Sequence, residues 1–277
     1  MLTMIKPLNK INKTQLVDTF HLAFSDYTLN MTMPEDYWIT RWASARIDYN
    51  LSFGYFDENK LCGFVLHGID EWEGKMSFFN MGTGVIPSHR GQRIVKQIYN
   101  AAIPLLKANG IQRGYLEVLQ DNDKAIKAYE SVGFKIERTL NCFKAYKPEN
   151  KERYNLSAII DLDPKKYHSF KNHYLGWEQI DKVIEINPSL FKAYELYDQN
   201  ESVGFAIIKP GNGQIIQYGV KNDDWYKYAP SLFREIYNLY SNYKIVNVDI
   251  NDLVLTKFLF DSGFEKSVTQ WEMGMEL

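Results

Sequence analysis

Apolar residues recur at two spacings along the chain, and each spacing predicts one kind of element. Leu16, Phe20 and Phe24 fall at helical intervals, which predicts a helix over residues 13–24. Short apolar runs that end at Gly, Pro, Asn or Asp predict strands. For the first half of the chain these rules predict strands at 3–7, 51–56, 61–69, 76–85 and 115–119, helices at 13–24, 32–47, 91–109 and 123–131, and one or two closing strands over 137–147.

The second half of the chain repeats this succession. We predict strands at 154–160, 193–197, 203–209, 214–220 and 245–250 and a last one to about 275, a mixed helical segment at 165–185, and helices at 224–241 and 252–262. Three short sequence matches occur in the same order in both halves, the last pairing Gly133-Phe134 with Gly263-Phe264. The matches indicate an internal repeat of two domains, 1–148 and 149–277, joined by a charged linker over 147–153.

The composition is that of an ordinary globular protein, and it narrows the classes of partner. A length of 277 residues suits two small α/β domains. The net charge of −2 gives no global basic field for nucleic acid or an anionic membrane. We see no signal peptide and no apolar run near the roughly 20 residues that a membrane span needs, so we expect a cytoplasmic protein. The two cysteines, Cys62 and Cys142, are expected to be free buried thiols, and no metal-ligand cluster occurs.

A basic turn follows the predicted strand at 76–85 and opens a helix. It consists of Arg90, Gly91, Gln92, Arg93, Ile94 and Val95. The first turn of a helix has free backbone N–H groups and a positive dipole end, which together suit a pyrophosphate. The alternative is an ordinary basic helix N-terminus without a ligand.

The helix predicted at 123–131 has a second candidate group. Asn122 and Tyr129 are seven residues apart, almost two turns, so both face the same way with the small Ala125 between them. A phenol with a pKa near 10 stays protonated at pH 7 and suits the role of proton donor to a leaving thiolate. The alternative is a core-facing Tyr with an Asn that only caps the helix.

The order of elements, the turn and the Asn-Ala-Tyr helix together resemble the GCN5-related N-acetyltransferase (GNAT) family. The resemblance covers residues 1 to about 148 and implies a mixed central sheet flanked by helices in each domain. It also implies transfer of an acetyl group from acetyl-CoA to a primary amine by direct attack in a ternary complex. Tyr129 would then be the general acid, and Val85, Ile86, Asn122 and Ala125 would contact the CoA arm beside two splayed strands.

The turn departs from the family pattern, because Arg93 and Val95 stand where the family has Gly and a small residue. We expect both positions to be helical, where a side chain causes no backbone strain, and Arg93 would add a cation. The resemblance makes all six residues of the turn candidate CoA contacts. The departure keeps open a non-catalytic acyl-CoA-binding regulatory module, or a scaffold without the ligand.

The general base and the acceptor site are less defined. Glu117 is the first choice of base, with a structural salt bridge as its alternative. We expect His67 to be packed and His89 to be exposed. Acidic and aromatic residues suit a cationic amine, although an amphipathic helix has the same pattern. On that ground the candidate acceptor residues are Tyr27, Tyr37, Trp38 and Asp48.

The second domain lacks the residues of this chemistry. Asp223 and Asp224 stand where a pyrophosphate would lie, and Leu259 aligns with Tyr129. We therefore expect a degenerate GNAT-like copy without acyl-CoA. The expected partner is a small-molecule or peptide amine, and the sequence leaves the oligomeric state open, a homo-oligomer included.

Overall fold

The computed structural model describes most of the chain, namely residues 3–27, 31–149 and 154–277. Its strands and helices form two units: unit 1 consists of Met1–Glu137 and Trp271–Leu277, and unit 2 of Arg138–Gln270. Each unit combines parallel and antiparallel strand pairs with helices, so the predicted mixed α/β class is confirmed. The predicted linker over 147–153 falls partly outside the described residues.

Unit 1 contains the elements that the first half of the sequence predicts. They are β1 (Thr3–Pro7), α1 (Lys13–Ala23), α2 (Glu35–Ser44), β2 (Phe53–Asp57), β3 (Lys60–Trp72), β4 (Lys75–Val85), α3 (Ile94–Ala108), β5 (Arg113–Leu119) and α4 (Asp123–Glu130). Strands β1 to β4 pair with their neighbours as an antiparallel meander, and β5 joins β4 in parallel. The crossover between β4 and β5 is α3, as a parallel connection requires.

Two apolar layers cover the sheet of unit 1. On one face, α1 and α2 pack against Phe64 and Leu66 of β3. On the other face, α3 and Tyr129 of α4 pack against Phe78 of β4 and Leu116 of β5. The helical spacing of Leu16 and Phe20 in the sequence is therefore the buried face of α1. Both cysteines are free and buried, as predicted.

Unit 2 has the same kinds of element in the same order. They are β6 (Lys135–Lys144), β7 (Asn155–Ile159), α5 (Asp181–Ile186), β8 (Lys192–Asp198), β9 (Glu201–Lys209), β10 (Gln214–Val220), α6 (Trp225–Leu239), β11 (Lys244–Asp249), α7 (Leu253–Asp261) and β12 (Lys266–Glu276). The predicted mixed segment at 165–185 becomes a 3-10 segment, Pro164–Phe170, and the short α5. The strand order from β6 onward is β6-β11-β10-β9-β8-β7.

Two strands make the unit boundaries differ from the predicted division at residue 148. β6 starts in unit 1, and from Arg138 onward it belongs to unit 2, where it pairs with β11. β12 starts in unit 2, and from Trp271 onward it belongs to unit 1, where Met273 and Met275 enter the core. The sequence predicts both strands, but a strand pattern does not say which sheet the strand joins.

Three helix bounds differ from the prediction by three residues. α2 begins at Glu35 after Pro34 and ends at Ser44, whereas the prediction was residues 32–47. α3 begins at Ile94, three residues later than predicted, and continues through Pro104. A proline costs one hydrogen bond inside a helix. The fully buried Ile98 and Leu106 on either side hold α3 to the sheet.

Candidate active site

The parallel pair β4 and β5 separates partway along its length. Pairing joins Ser77–Asn80 to Arg113–Leu116 and ends there, although β4 continues to Val85 and β5 to Leu119. The family resemblance implies such a splay. A β-bulge in β4 lies at the point of separation, because Leu66 and His67 of β3 face Gly82 and Asn80, which leaves Met81 as the extra residue.

The bulge leaves a free backbone edge on β4. The Ile86 N–H donates to the Cys62 carbonyl of β3 at 2.9 Å. Because hydrogen-bonding direction alternates along an antiparallel strand, the N–H groups of Thr83 and Val85 point the other way, into the gap. The gap therefore presents the main-chain groups to which an extended chain can add as a strand.

A cavity of about 1000 Å³ occupies the gap and the space around it. Its walls come from the end of α1, the end of β4, the turn that opens α3, the end of β5 and one face of α4. The residues that line it and that the sequence singled out are Tyr27, Val85, Arg90, Gly91, Arg93, Ile94, Val95, Asn122, Ala125 and Tyr129. The structure thus brings the turn, the strand edge and the Asn-Ala-Tyr helix together.

The turn before α3 has a conformation that the sequence did not predict. Arg93 has φ 55° and ψ 31°, the left-handed region, and it is the N-cap of α3 rather than a helical residue. The expectation of an unstrained helical position was therefore wrong for Arg93 and correct for Val95, which lies inside α3. Gly91 also has a positive φ of 77°. A left-handed conformation costs a non-glycine residue roughly 1–2 kcal/mol.

Arg90 binds protein groups on several sides. Its guanidinium forms a fork with Asp26 at 2.6 and 2.8 Å, and it donates to the carbonyls of Ala23 at 2.9 Å and Val85 at 3.1 Å. This fork holds the pKa of Asp26 at about 2. Arg90 thereby connects the end of α1 to the end of β4, and its charge is already matched by a carboxylate.

Four other cations line the cavity, and their charges are not neutralised by a described carboxylate. They are Arg93, Lys96, Lys124 and Lys127. All four are exposed, and none forms a salt bridge with a residue that the structure describes. This side of the cavity therefore favours a polyanion.

Tyr129 lies on the cavity wall and is 9% exposed. Burial raises the pKa of its phenol, while the polar side chains of Thr83 and, to a smaller extent, Asn80 oppose that rise. The hydroxyl is consequently protonated at neutral pH. Its ring packs edge-on against Phe134 with centroids 5.9 Å apart, which fixes the side chain from behind.

Asn122 has the capping role that the sequence left as an alternative. Its Oδ1 accepts the Ala125 N–H at 3.2 Å and caps α4. It also lines the cavity, where it lies near Tyr27 and opposes the rise that burial causes in the pKa of the Tyr27 phenol. Asn122 therefore both caps α4 and lines the cavity, so the two interpretations of this residue do not exclude each other.

The two histidines of interest are structural in different ways. His67 is fully buried, and its Nδ1 donates to the Leu51 carbonyl at 2.6 Å. Burial lowers the pKa of His67 to about 4, so it is neutral and packed, as expected. His89 is only partly exposed, contrary to expectation, because its Nε2 lies 3.3 Å from the Asp57 carboxylate.

Besides Glu117, five predicted residues do not line the cavity. Ile86 is buried, and Gln92 is exposed in the turn. Trp38 is in the core under α2, where its Nε1 donates to His21 at 3.2 Å, and Tyr37 packs edge-on against it. Asp48 instead accepts the Asn50 N–H at 2.7 Å in the loop before β2. Thus Tyr27 is the one candidate acceptor residue that the structure brings to the cavity wall.

Glu117, the predicted base, also lies outside the cavity wall. It is partly buried on β5, and it shares a strand face with Leu119, which does line the cavity. The distance along the strand between two such residues is about 7 Å.

Several lining residues were not predicted. Thr83, Phe24 and the three lysines contribute to the wall. The lysines on α4 had a usable signal, because Lys124 and Lys127 are one helical turn apart on the helix of Tyr129. Thr83 had none, since its direction depends on the bulge at Met81.

Unit 2 contains a corresponding gap that its own residues fill. β10 and β11 pair over two residues, Gln214–Ile215 with Lys244–Ile245, and then separate. Between them the Gln179 Nε2 donates to the carbonyls of Ile216 and Val246, both at 3.3 Å. The Gln179 side chain is almost completely buried.

Residues 164–179, here called the plug, make further close contacts with the strands of this gap. The Gly176 N–H donates to Gln179 Oε1 at 2.9 Å, and Gln217 Nε2 donates to the Gln179 carbonyl at 2.7 Å. A Cβ on Gly219 of β10 would lie 2.1 Å from the Phe170 carbonyl oxygen. Residues 164–179 of the same chain therefore cover the gap of unit 2.

Comparison with known proteins gives a match to one family model and a fold. Residues 16–134 match the model of the acetyltransferase (GNAT) family. A tandem GNAT protein from the clavulanic acid biosynthesis pathway has 12% identity over 99% of this chain and 98% of its own, with a TM-score of 0.69. A GCN5-related N-acetyltransferase from Sphaerobacter thermophilus has 11% identity over 99% and 95%, with a TM-score of 0.68. At these identities the structures establish the fold alone. No curated protein matches the sequence significantly.

None of the described helices has the length and apolar character that crossing a membrane requires. Within the same residues, no three His, Cys, Asp or Glu side chains are grouped closely enough to hold a metal ion.

Proposed function

We propose that this chain is an N-acetyltransferase that moves an acetyl group from acetyl-CoA to a primary amine, since residues 16–134 match the model of the GNAT family. The observation that carries the proposal is the cavity between the diverging β4 and β5, with a protonated phenol on its wall and unpaired cations beside it. Acyl transfer as a reaction class follows from the family. The acetyl donor and the amine acceptor are the proposal.

The cavity wall has the backbone N–H groups and the cations that acetyl-CoA binding would need. The N–H groups of Thr83 and Val85, which point into the gap, are the ones that would hold the pantetheine arm. The turn with Gly91 would receive the pyrophosphate, and Arg93, Lys96, Lys124 and Lys127 would neutralise the phosphate charge. Arg90 serves this binding indirectly, because it holds the turn and the end of α1 in place.

The residues of the cavity also suit direct transfer. The bound thioester supplies an activated acyl carbon for attack by a neutral amine. The Val85 N–H would polarise the thioester carbonyl, and Tyr129 would protonate the departing sulfur. Glu117, acting through water, stays the proposed base that takes a proton from the amine.

The second domain is proposed to bind no acyl-CoA. Gln179 already makes hydrogen bonds to both separated strands, and a carboxamide is also the group through which a pantetheine arm would bind such strands. Asp223 and Asp224 precede α6, where a pyrophosphate would need cations. The domain division at 148, with a degenerate second copy, remains our proposal for function.

The acceptor is proposed to be a small-molecule or peptide amine, and Tyr27 is the candidate that would meet it. A cytoplasmic location, no nucleic acid or membrane partner, and no metal requirement remain predictions. The oligomeric state is open.

Calorimetry and a thiol-release assay test the proposal together. We expect one acetyl-CoA to bind per chain, and free thiol to form when one of a panel of polyamines, amino acids, aminoglycosides and peptide N-termini is added. A chain that binds no acetyl-CoA contradicts the assignment. Two molecules bound per chain would contradict the filled gap in unit 2.

A non-catalytic acyl-CoA-binding module is the second candidate, and the position of Glu117 outside the cavity wall favours it. The same experiment separates the two functions. Binding without thiol release across the whole panel would favour the module.

A further inference from the structure

A buried side-chain amide spans the bulge of β4. Asn80 is 6% exposed and is the last residue of β4 that pairs with β5. Its Oδ1 accepts the Gly82 N–H at 3.0 Å, and its Nδ2 donates to Thr83 Oγ1 at 2.7 Å and to Tyr99 Oη at 3.0 Å. Because the carbonyl oxygen and both amide hydrogens have partners, the side chain has a single orientation.

The bond between Asn80 and Thr83 depends on the extra residue at Met81. In a regular strand, residues three positions apart point to opposite faces of the sheet. Here Met81 packs on the layer of α1, and a Cβ added to Gly82 would lie 3.4 Å from Phe20 in the same layer. Two successive residues thus face one layer, and Asn80 and Thr83 share the other face, where their side chains meet.

The segment beyond the bulge has lost the support of β5. Pairing between β4 and β5 ends at Asn80, so of the strands that the structure describes only β3 still pairs with residues 82–85. Thr83 lies between Gly82 and Gly84, which have no side chains to anchor the segment in either apolar layer. Asn80 therefore contributes hydrogen bonds to a segment that has one neighbouring strand instead of two.

The position of the bulge decides which N–H groups reach the gap. With the extra residue at Met81, the N–H groups of Thr83 and Val85 point away from β3. A shift of one residue would turn every residue beyond Asn80 to the other side. Gly84 would then point its N–H into the gap in place of Thr83 and Val85.

We propose that Asn80 is a positioning residue for the acyl donor, because it holds the extra residue at Met81 and so keeps the N–H groups of Thr83 and Val85 directed into the gap. The inference rests on the proposed function, in which these two groups hold the pantetheine arm and the Val85 N–H polarises the thioester carbonyl. Asn80 lies outside the cavity wall. Its contribution reaches the ligand through the backbone of β4.

Asn80→Ala removes all three bonds and tests the proposal. We expect the dissociation constant of acetyl-CoA, measured by calorimetry, to rise about 5- to 100-fold, the range for two hydrogen bonds that are no longer aligned. In the thiol-release assay with the best amine of the panel, kcat should fall about 10- to 100-fold, because the Val85 N–H no longer faces the thioester.

A ligand without the arm separates positioning from a general loss of structure. 3′-Phospho-ADP is the nucleotide of CoA without its pantetheine arm, so it would reach the turn and the cations but not the edge of β4. Its affinity should be the same in the parent and in Asn80→Ala. A variant whose whole site is loosened would lose affinity for both ligands.

Tyr99→Phe is a milder second variant that keeps Asn80. It removes one of the three bonds and leaves the aromatic ring in the core. We expect the dissociation constant of acetyl-CoA to rise about 2- to 5-fold, the range for one neutral hydrogen bond, with the affinity for 3′-phospho-ADP unchanged.

Ser52→Ala is the matched control for the loss of buried polar contacts in the same unit. Ser52 is fully buried and outside the cavity wall; its Oγ donates to the Asp48 carbonyl at 2.7 Å and accepts the His67 N–H at 2.9 Å. Urea unfolding should show a loss of stability in Ser52→Ala as in Asn80→Ala. Acetyl-CoA affinity and kcat should stay those of the parent in Ser52→Ala.

Three results would overturn the inference and leave the acetyltransferase standing. They are parent-like acetyl-CoA binding in Asn80→Ala and Tyr99→Phe, an equal loss of affinity for 3′-phospho-ADP, and an equal loss of acetyl-CoA affinity in Ser52→Ala. A parent that binds no acetyl-CoA would instead overturn the proposed function, and this inference with it.

Discussion

The two units contain the same strand divergence and use it differently. In unit 1 the gap between β4 and β5 leads into a cavity with Tyr129 on its wall, together with four cations that form no salt bridge with the residues described. In unit 2 the gap between β10 and β11 is joined across by the carboxamide of Gln179. A divergence of parallel strands is therefore a backbone feature, and the side chains and segments around it determine whether it can bind a ligand.

The comparison also explains why the two gaps tolerate different residues. In unit 1 the main-chain groups of Thr83 and Val85 lie along a space wide enough for an added chain. In unit 2 the corresponding space holds residues 164–179, and β10 needs Gly219 because the Phe170 carbonyl lies directly above it. A glycine that a ligand site would use for close approach is here used for close packing.

Of the predicted changes, removal of the Tyr129 hydroxyl from the open gap of unit 1 should have the largest effect, and it should act on kcat. We expect Tyr129→Phe to lower kcat about 100- to 10,000-fold, the usual contribution of a positioned general acid, because sulfur must then leave as a thiolate. Acetyl-CoA affinity should change little, since the ring stays. Thiol release with a fixed amine and pH measures the effect. Tyr115→Phe is the control, because Tyr115 lies outside the cavity wall and its hydroxyl donates to Glu73. Parent-like turnover in Tyr129→Phe would exclude Tyr129 from the mechanism.

The next largest effect should be a loss of stability when Gly219, at the gap of unit 2, is replaced by alanine. In Gly219→Ala the new methyl group would meet the Phe170 backbone at 2.1 Å, so the plug must move. We expect a loss of about 1–3 kcal/mol in unit 2, as for other overpacked sites. Hydrogen exchange of peptides covering 164–179 and 214–220 should become faster.

The matched control for that change lies on the strand of the open gap. Gly82→Ala places its methyl group 3.4 Å from Phe20, an ordinary contact, and should leave hydrogen exchange unchanged. If Gly219→Ala protects residues 164–179 as well as the parent does, the plug is looser than the structure implies.

The sequence predicted local features of this fold well because those depend on nearby residues. The spacing of Leu16 and Phe20 located α1, and the seven-residue interval from Asn122 to Tyr129 located one wall of the cavity. The splay of β4 and β5 followed from a family resemblance rather than from spacing.

The features that sequence reasoning missed depend on distant residues or on backbone conformation. Gln179 bonds to carbonyls 37 and 67 residues away, and no local pattern marks such a partner. The direction of Thr83 depends on one extra residue at Met81. Glu117 was chosen by residue type and strand position, and neither determines how far along a strand a cavity extends.

A non-glycine residue with left-handed backbone conformation precedes the long helix of each unit, and replacing it tests the contrast between the two gaps. Arg93 precedes α3 with φ 55°, and Asn222 in the 3-10 turn before α6 also has φ 55°. Arginine adopts this region at a cost of roughly 1–2 kcal/mol, whereas asparagine tolerates it. Glycine removes that cost but adds about 0.5–1 kcal/mol of unfolded-state entropy.

Arg93→Gly should therefore raise the free energy of unfolding by about 0.5–1 kcal/mol, and Asn222→Gly should not raise it. The two variants should also differ in acetyl-CoA binding, and here the more stable variant, Arg93→Gly, should be the weaker binder. Arg93→Gly removes a cation from the cavity and should weaken acetyl-CoA binding about 2- to 5-fold, the range for an exposed charge pair. Asn222→Gly should leave the affinity unchanged, because the gap of unit 2 is filled. Urea unfolding and calorimetry on both variants measure the two effects. Weaker acetyl-CoA binding in Asn222→Gly would mean that the second gap takes part in binding, and the contrast between the units would then be wrong.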